Sequence, residues 1–243
     1  MISAIIKKII DFFDYFNQKK LLKFIKFKKL NNLQVIFDVG AHHGETINFY
    51  LTYLNPSKIY AFEPSLKNFN VLKKNINNLN KFDQNKVMIY NFGFGNKKEK
   101  ALINQTIESS STTLNKINFD SNYFKKKNKL LNFFGKDKDF FLKYEVNIER
   151  LDDFIEENKI QNIDLLKIDT EGYEYPILKG LGKKINILKF IHFEHHYDDM
   201  IVKNYNFSDI DHYLRLNNFI KIFKIKMYFR KSFEYIYQND NKI

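Results

Sequence analysis

The chain of 243 residues is long enough for one sizeable α/β domain with its own hydrophobic core. It contains no cysteine, which excludes a disulfide framework and a thiolate zinc site. Its formal net charge of +12 comes without an arginine-rich patch or a recognisable nucleic-acid-binding module. We therefore attribute the charge to a compositional bias of the whole chain and expect no nucleic-acid partner.

The N-terminal 30 residues mix isoleucine and phenylalanine with many lysines and predict one or two basic amphipathic helices. Charged residues such as Lys7 and Asp11 interrupt the apolar core that a signal peptide needs. No apolar run in the chain reaches the length of a membrane span. The helices could pack on the domain, contact a partner or lie on a membrane surface, and we favour the first two. We expect a helical extension at residues 1–30, a domain at 31–243, and a cytoplasmic protein with peripheral membrane contact as the alternative.

Val35–Thr46, VIFDVGAHHGET, predicts a buried strand, a glycine turn and the start of a helix. Gly40 and Gly44 bracket the turn, where glycine allows a positive φ or a close approach of backbone to a ligand. The N–H groups of the helix start point to the same place. The turn lacks the G-x-G-x-x-G spacing of pyrophosphate-binding proteins, so its shape favours S-adenosylmethionine over a nicotinamide dinucleotide.

An acidic residue, Glu63, follows the next predicted strand, Lys58–Phe62. At the end of a second strand such a residue can accept hydrogen bonds from the ribose hydroxyls of an adenosine. The third strand is predicted at Lys86–Phe92, and Gly93–Asn96 then forms a turn that should flank the adenine.

Residues 97–144 form a long excursion between core strands, which we interpret as an inserted cap on the substrate side. The remaining predicted strands are Tyr144–Ile148, Ile163–Ile168 and Asn186–Glu194, and a hairpin of Phe219–Lys226 and Phe233–Gln238 follows them. The remaining predicted helices are Leu151–Asn158, Tyr173–Gly182 and one that begins after Ser208, which we interpret as its N-cap with Asp211 three residues further on.

This alternation of strands and helices predicts a mostly parallel, doubly wound α/β sheet with helices on both faces. In such sheets ligands bind beyond the carboxyl ends of the strands, where the winding reverses. The residues that follow predicted strands should therefore meet on one rim, and they are Gly40, Glu63, Gly93, Asp169 and Glu194.

The combination of DVGAHHGET, AFEPS, KIDTEGYEYPILKG and FE-x-H resembles the FkbM-type family of S-adenosylmethionine-dependent methyltransferases, over Val35 to His196. The resemblance implies a Rossmann-like sheet in the order 3-2-1-4-5-7-6 with strand 7 antiparallel. It also implies O-methylation, often of sugars or natural-product hydroxyls.

The same resemblance implies how the cofactor is held. Asp38 and Gly40 would face its methionine part, Glu63 its ribose, and the turn at Gly93–Asn96 its adenine. The family commonly has asparagine where this chain has His42, whose protonation depends on pH. The expected cofactor-binding residues are Asp38, Gly40, His42, Gly44, Glu63, Gly93, Asn96 and Asp169.

A hydroxyl acceptor is a weak nucleophile and needs a general base or a metal ion. The candidate catalytic residues are Asp169, Glu171 and His195, any of which could act as the base. Alternatively, Asp169, Glu171 and Glu194, with or without a histidine, could hold Mg²⁺ or Mn²⁺, but no tightly spaced metal motif is present and we predict no metal ligands. Asp169 and Glu171 could also cap the following helix.

We therefore predict an S-adenosylmethionine-dependent O-methyltransferase with a small-molecule or glycan acceptor. Among such acceptors we favour a sugar, a glycan or a polysaccharide precursor. The alternatives are an RNA methyltransferase, which only the net charge supports, and a non-catalytic cofactor-binding or scaffold protein. Lys167 lies inside a buried strand and should be paired or extend to solvent.

Overall fold

The computed structural model describes residues 16–28, 33–106, 112–126, 141–228 and 230–242. The strands are β1 (Val35–Val39), β2 (Lys58–Phe62), β3 (Val87–Tyr90), β4 (Gly93–Gly95), β5 (Glu99–Thr106), β6 (Thr112–Thr113), β7 (Lys116–Ile117), β8 (Phe141–Arg150), β9 (Ile163–Ile168), β10 (Leu188–His196), β11 (Ile201–Val202), β12 (Phe219–Lys226) and β13 (Ser232–Asn239). The helices are α1 (16–27), α2 (Glu45–Tyr53), α3 (Leu66–Asn77), α4 (Lys81–Gln84), α5 (122–126), α6 (Leu151–Glu157), α7 (Glu174–Lys179) and α8 (Phe207–Leu216), with 3₁₀ turns at Gly182–Ile187 and Asp240–Lys242.

A seven-stranded sheet in the order β3-β2-β1-β9-β10-β13-β12 forms the centre of the molecule. Counted along the chain, its strands lie in the expected order 3-2-1-4-5-7-6. β13 runs antiparallel to both β10 and β12, whereas β3, β2, β1, β9 and β10 are parallel. The winding reverses between β1 and β9, which places a crevice at their carboxyl ends.

Both faces of this sheet are covered, as the uninterrupted apolar strands predict. Phe37 of β1 belongs to the core under α6, α7 and α8, whereas its neighbour Ile36 belongs to the core under α1, α2 and α3. Because successive side chains of a strand point to opposite faces, one short strand contributes to both cores.

The described part of the N-terminal extension packs against the domain, which is one of the alternatives that the sequence leaves open. Leu21 and Ile25 of α1 are buried in the core, and the Phe24 ring lies 4.5 Å from that of Phe223 on β12. No helix among the described ranges combines the length and apolar character needed to cross a membrane. The rest of the predicted extension, residues 1–15 and 29–30, lies outside the described residues.

The predicted insertion contributes to a second, four-stranded sheet in the order β4-β8-β5-β6. The prediction of a turn at Gly93–Asn96 is wrong for its first three residues, because β4 pairs in parallel with β8. A Cβ at Gly95 would lie 2.9 Å from Ile148 Cγ2, so glycine allows this close pairing. Residues 107–111 and 127–140 of the predicted cap lie outside the described residues.

Four strands have bounds that differ from the prediction. β3 is Val87–Tyr90 instead of Lys86–Phe92, and β13 is Ser232–Asn239 instead of Phe233–Gln238. β8 begins at Phe141 instead of Tyr144 and ends at Arg150, since β5 pairs with it from Glu99 to Thr106. β10 begins at Leu188 instead of Asn186, because the preceding residues form a 3₁₀ turn, and it continues to His196.

Three helix boundaries also differ, and α6 ends at Glu157 instead of Asn158. The predicted helix Tyr173–Gly182 is limited to α7, Glu174–Lys179. The cap of α8 is Asn206, not Ser208, because its side chain accepts hydrogen bonds from the backbone at Ser208 and Asp209. The carboxylate of Asp209 completes a capping box with the backbone of Asn206.

Candidate active site

A pocket opens at the carboxyl ends of β1, β2, β9 and β10, where the winding of the sheet reverses. Seven of the residues predicted from the sequence line it: Gly40, His42, Glu63, Gly93, Asp169, Glu171 and Glu194. The other predicted residues are not among its lining: Asp38, Gly44, Asn96 and His195. Ile103, Thr112 and Leu114 also line it, so the inserted segment reaches the site.

The glycine turn is shaped by the contact between β1 and β9. Gly40 has a φ of 87°, and a Cβ there would lie only 2.0 Å from the carbonyl oxygen of Asp169. Any other residue would therefore push the two strand ends apart. Gly44 has a φ of 92° and stands at the N-cap of α2, so it shapes the turn without lining the pocket.

Glu63 links the end of β2 to this turn. Its Oε2 accepts a hydrogen bond from the backbone N–H of His42 at 2.9 Å, and its Oε1 accepts one from the backbone N–H of Ser65 at 2.9 Å. Burial raises the pKa of Glu63 to about 7, although both hydrogen bonds oppose the shift. The pocket therefore contains an acid that changes charge near neutral pH.

Asp38 and Lys167 are buried beside the pocket, and Asp169, whose side chain is 39% exposed, lines it. Lys167 Nζ donates a hydrogen bond to Asp169 Oδ2 at 2.9 Å and lies 3.8 Å from Asp38 Oδ1. Lys167 is thus paired, which is one of the two alternatives for this residue. Asp38 was expected to face the cofactor, but it is fully buried inside the sheet, and neither of its carboxylate oxygens has a hydrogen-bond partner among the described residues.

The charges of this group follow from burial and pairing. Burial raises the pKa of Asp38 to about 6, and the charge of Lys167 only partly opposes it. Burial would also raise the pKa of Asp169, but the ammonium of Lys167 outweighs it and lowers that pKa below its ordinary value. Asp169 therefore presents an ionised carboxylate to the pocket.

A second charged cluster lies on the β10 side of the pocket, and it contains Glu171 and Glu194, two of the acids that the metal alternative brings together. His196 Nε2 lies 3.1 Å from Glu171 Oε2 and 3.6 Å from Glu194 Oε1, and its Nδ1 lies 3.4 Å from Asp198 Oδ2. Burial would lower the pKa of His196, but these carboxylates outweigh it and raise the pKa to about 11. His196 is therefore an imidazolium that holds acids in place.

Glu194 and Arg230 complete the wall of the pocket on this side. Burial raises the pKa of Glu194 to about 7, and the nearby charge of Asp169 adds to the shift. Arg230 Nη1 lies 3.9 Å from Glu194 Oε2. Arg230 comes from the connection between β12 and β13, and no pattern in the sequence links it to this rim.

The structure does not bring His195 to the pocket. Its Nδ1 lies 2.6 Å from Glu174 Oε1, and both side chains are buried on the opposite face of β10 from Glu194 and His196. The alternation of side chains along a strand is the signal that separates His195 from His196. Asn96 also lies outside the lining, and its backbone carbonyl accepts a hydrogen bond from Arg150 at 3.1 Å.

Comparisons with known proteins agree with this architecture. Residues 38–221 match the family model described as the methyltransferase FkbM domain. Methyltransferase FkbM from Methylobacillus flagellatus KT superposes with a TM-score of 0.55 at 14% identity, covering 85% of this chain and 44% of that one. The chain thus spans less than half the length of that protein.

Two further solved structures share the fold. TrmK from M. capricolum, in complex with S-adenosyl-homocysteine, has a TM-score of 0.52 at 13% identity, covering 93% of this chain and 68% of that one. Magnesium protoporphyrin IX methyltransferase (ChlM) from Synechocystis PCC 6803, with bound SAM, has a TM-score of 0.54 at 7% identity, covering 95% and 82%. A comparison with functionally curated proteins found no match. The chain has a Rossmann-like methyltransferase fold.

Proposed function

We propose that this chain, which belongs to the FkbM family of methyltransferases, transfers a methyl group from S-adenosylmethionine to the hydroxyl of a sugar, glycan or polysaccharide precursor. The observation that carries the proposal is the pocket at the strand ends, which has Glu63 on the β2 side and the ionised Asp169 on the β9 side. The choice of a sugar as acceptor rests on the family resemblance alone.

The residues present fit the cofactor. S-Adenosylmethionine supplies an electrophilic methyl group on a sulfonium ion. The carboxylate of Glu63 is held by two backbone N–H groups, and its remaining lone pairs can accept hydrogen bonds from ribose hydroxyls. Gly93 would border the adenine, and the turn at Gly40 and His42 the methionine part. The bound ligands of TrmK and ChlM support the same cofactor here.

Three carboxylates are available to the acceptor hydroxyl, namely those of Asp169, Glu171 and Glu194. Asp169 is suited to orient the hydroxyl, because Lys167 keeps it ionised. Glu194, with a pKa of about 7, is suited to accept a proton near neutral pH. His196 positions Glu171 and Glu194, and His195 has no part in this proposal.

Calorimetric titration with S-adenosylhomocysteine, beside NAD as a control, tests the cofactor. We expect micromolar binding of the first and none of the second. Glu63→Ala should weaken that binding at least tenfold while leaving the thermal transition in place. Equal affinity in the variant would refute the ribose role, and absence of binding to the wild type would favour the scaffold alternative.

The release of S-adenosylhomocysteine in the presence of sugars, glycans and RNA tests the acceptor. Asp169→Asn should lower the rate at least about a hundredfold. Asp120→Asn is the matched control, because Asp120 is 96% exposed and does not line the pocket. Methylation of RNA alone would favour the RNA alternative, and loss of activity in EDTA with recovery in Mg²⁺ would favour the metal mechanism.

A further inference from the structure

The turn before α2 brings three potential metal ligands together, namely His42, His43 and Glu45. One donor atom from each lies within 4.8 Å of the others. His42 Nδ1 is 3.2 Å from Glu45 Oε1, and His43 Nδ1 is 3.8 Å from the same oxygen. The two imidazole rings are stacked, with centroids 3.7 Å apart. Both rings therefore direct a nitrogen towards one carboxylate oxygen.

The backbone holds this arrangement in place. His42 has a φ of 49° and Gly44 a φ of 92°, so two of these three consecutive residues adopt a left-handed backbone conformation. The N–H of Gly44 donates a hydrogen bond to the carbonyl of Ala41 at 2.8 Å, and the side chain of Asn75 donates one to the carbonyl of His43 at 2.8 Å. The turn is thus anchored both internally and to α3.

Two imidazole nitrogens and one carboxylate oxygen form a donor set that suits zinc and similar divalent ions. In a tetrahedral site with bonds of about 2.1 Å, neighbouring donors lie roughly 3.4 Å apart. The observed separations of 3.2 and 3.8 Å fall on either side of that value. Three protein ligands leave a fourth position for water or another ligand.

A simpler explanation accounts for only part of this geometry. Glu45 lies in the first turn of α2 and accepts a hydrogen bond from the backbone N–H of His43 at 3.2 Å, as an acid at a helix start often does. That role does not require two imidazoles on the same carboxylate. The side chains are 32%, 28% and 62% exposed for His42, His43 and Glu45, so an ion can reach them from solvent.

We infer that His42, His43 and Glu45 form a binding site for a single Zn²⁺-class divalent ion at the edge of the pocket. His42 and Glu45 line that pocket, whose other walls carry the carboxylates of Glu63, Asp169 and Glu171. Metal binding at this site can be measured without any nucleotide, so its test does not depend on the proposed methyl transfer.

The experiment uses the full chain without a polyhistidine tag, treated with chelator and then dialysed at pH 7.5. Titration with Co²⁺ should give the visible absorption of a low-coordinate ion at one equivalent, and Zn²⁺ should abolish it. His42→Asn and His43→Asn should each weaken binding at least tenfold. His42→Asn restores the residue that the family commonly has, so it should fold. Glu45→Gln keeps a hydrogen-bond acceptor for the turn and should weaken binding too.

His212→Asn is the matched control, because His212 is exposed on α8 and outside this cluster. It should bind Co²⁺ like the wild type. Circular dichroism and thermal unfolding identify any variant that has lost its fold. The Co²⁺ affinity of Glu45→Gln is then used instead of the affinity of that variant. Wild-type affinity in the folded His42 and His43 variants, or no binding of Co²⁺ and Zn²⁺ at micromolar concentrations, would overturn the inference.

Discussion

The ammonium group of Lys167 lies 2.9 Å from the carboxylate of Asp169 and 3.8 Å from that of Asp38, so one buried cation serves two acids. Burial would lower the pKa of Lys167, but the charges of Asp169 and Asp38 outweigh it and raise that pKa. The lysine in the KIDTEG segment is therefore a structural partner of the pocket acid.

Replacing this cation should destabilise the protein. Lys167→Met leaves the buried carboxylate of Asp38 and the partly exposed carboxylate of Asp169 without their counter-charge, and we expect a loss of about 3 kcal/mol in the free energy of unfolding. Urea unfolding at pH 7 measures it. Asp38→Asn in the Lys167→Met background should recover part of the loss, because one uncompensated charge is removed. Lys73→Met on the exposed face of α3 should change stability by less than about 0.5 kcal/mol, and an equal loss there would contradict the pairing.

The affinity for S-adenosylhomocysteine should depend on pH through Glu63. Its pKa is raised from 4.5 to about 7, so the carboxyl loses acceptor capacity as pH falls below 7. We expect the dissociation constant to fall between pH 6 and pH 8, by at most about tenfold per pH unit. The stability of the ligand-free protein should change in the opposite direction, because a carboxyl whose pKa is raised by folding stabilises the folded state at low pH. That contribution is fully present below pH 4.5, the ordinary pKa, and is lost as the pH rises through 7. Glu63→Gln removes the titrating group, and a pH profile that it leaves unchanged would exclude this residue as the source.

Neighbouring histidines should behave differently when replaced. His196→Asn removes the imidazolium between Glu171 and Glu194, so we expect at least a tenfold loss of methyl transfer in a folded protein. The pair His195 and Glu174 can be replaced together by Asn and Gln, which removes both buried titratable side chains and keeps polar partners. The double variant should keep a rate within about threefold of the wild type, since neither residue lines the pocket. The opposite ranking of the two variants would restore His195 as the catalytic candidate.

The contact of α1 should contribute to stability but not to ligand binding. Ile25 is only 5% exposed and packs in the core, so Ile25→Ala should lower the free energy of unfolding by about 2 kcal/mol. Phe27 is 81% exposed, and Phe27→Ala is the matched control. Chemical denaturation measures both, and calorimetry should give the wild-type affinity for S-adenosylhomocysteine in both. Equal stability of the two variants would mean that α1 is an appendage.

Long apolar strands made most of the fold predictable. β1, β2, β9 and β12 were predicted at their observed bounds, and the rule that ligands bind at carboxyl ends brought Gly40, Glu63 and Asp169 to one rim. β4 was not predictable, because a three-residue strand has no measurable periodicity and its partner, β8, lies about fifty residues further along the chain.

The site was predictable where its residues follow a strand, and less so where partners come from elsewhere. Asp38 precedes the turn in sequence, but the pleat turns its side chain into the sheet towards Lys167. The cap of α8 was misplaced because Asn206 and Ser208 are both good cap residues, and only the first helical hydrogen bonds decide between them.

The spacing between the ends of β1 and β9 at the pocket depends on the absence of a side chain at Gly40. The backbone at Gly40 approaches the carbonyl of Asp169 so closely that the ends of β1 and β9 can meet only if no carbon atom stands between them. In the proposed reaction, the acid that would face the acceptor is thus placed by the turn that would face the cofactor. A methyl group at position 40 would force the ends of β1 and β9 apart. It would separate the proposed cofactor side of the pocket from the proposed acceptor side without removing any residue that lines either.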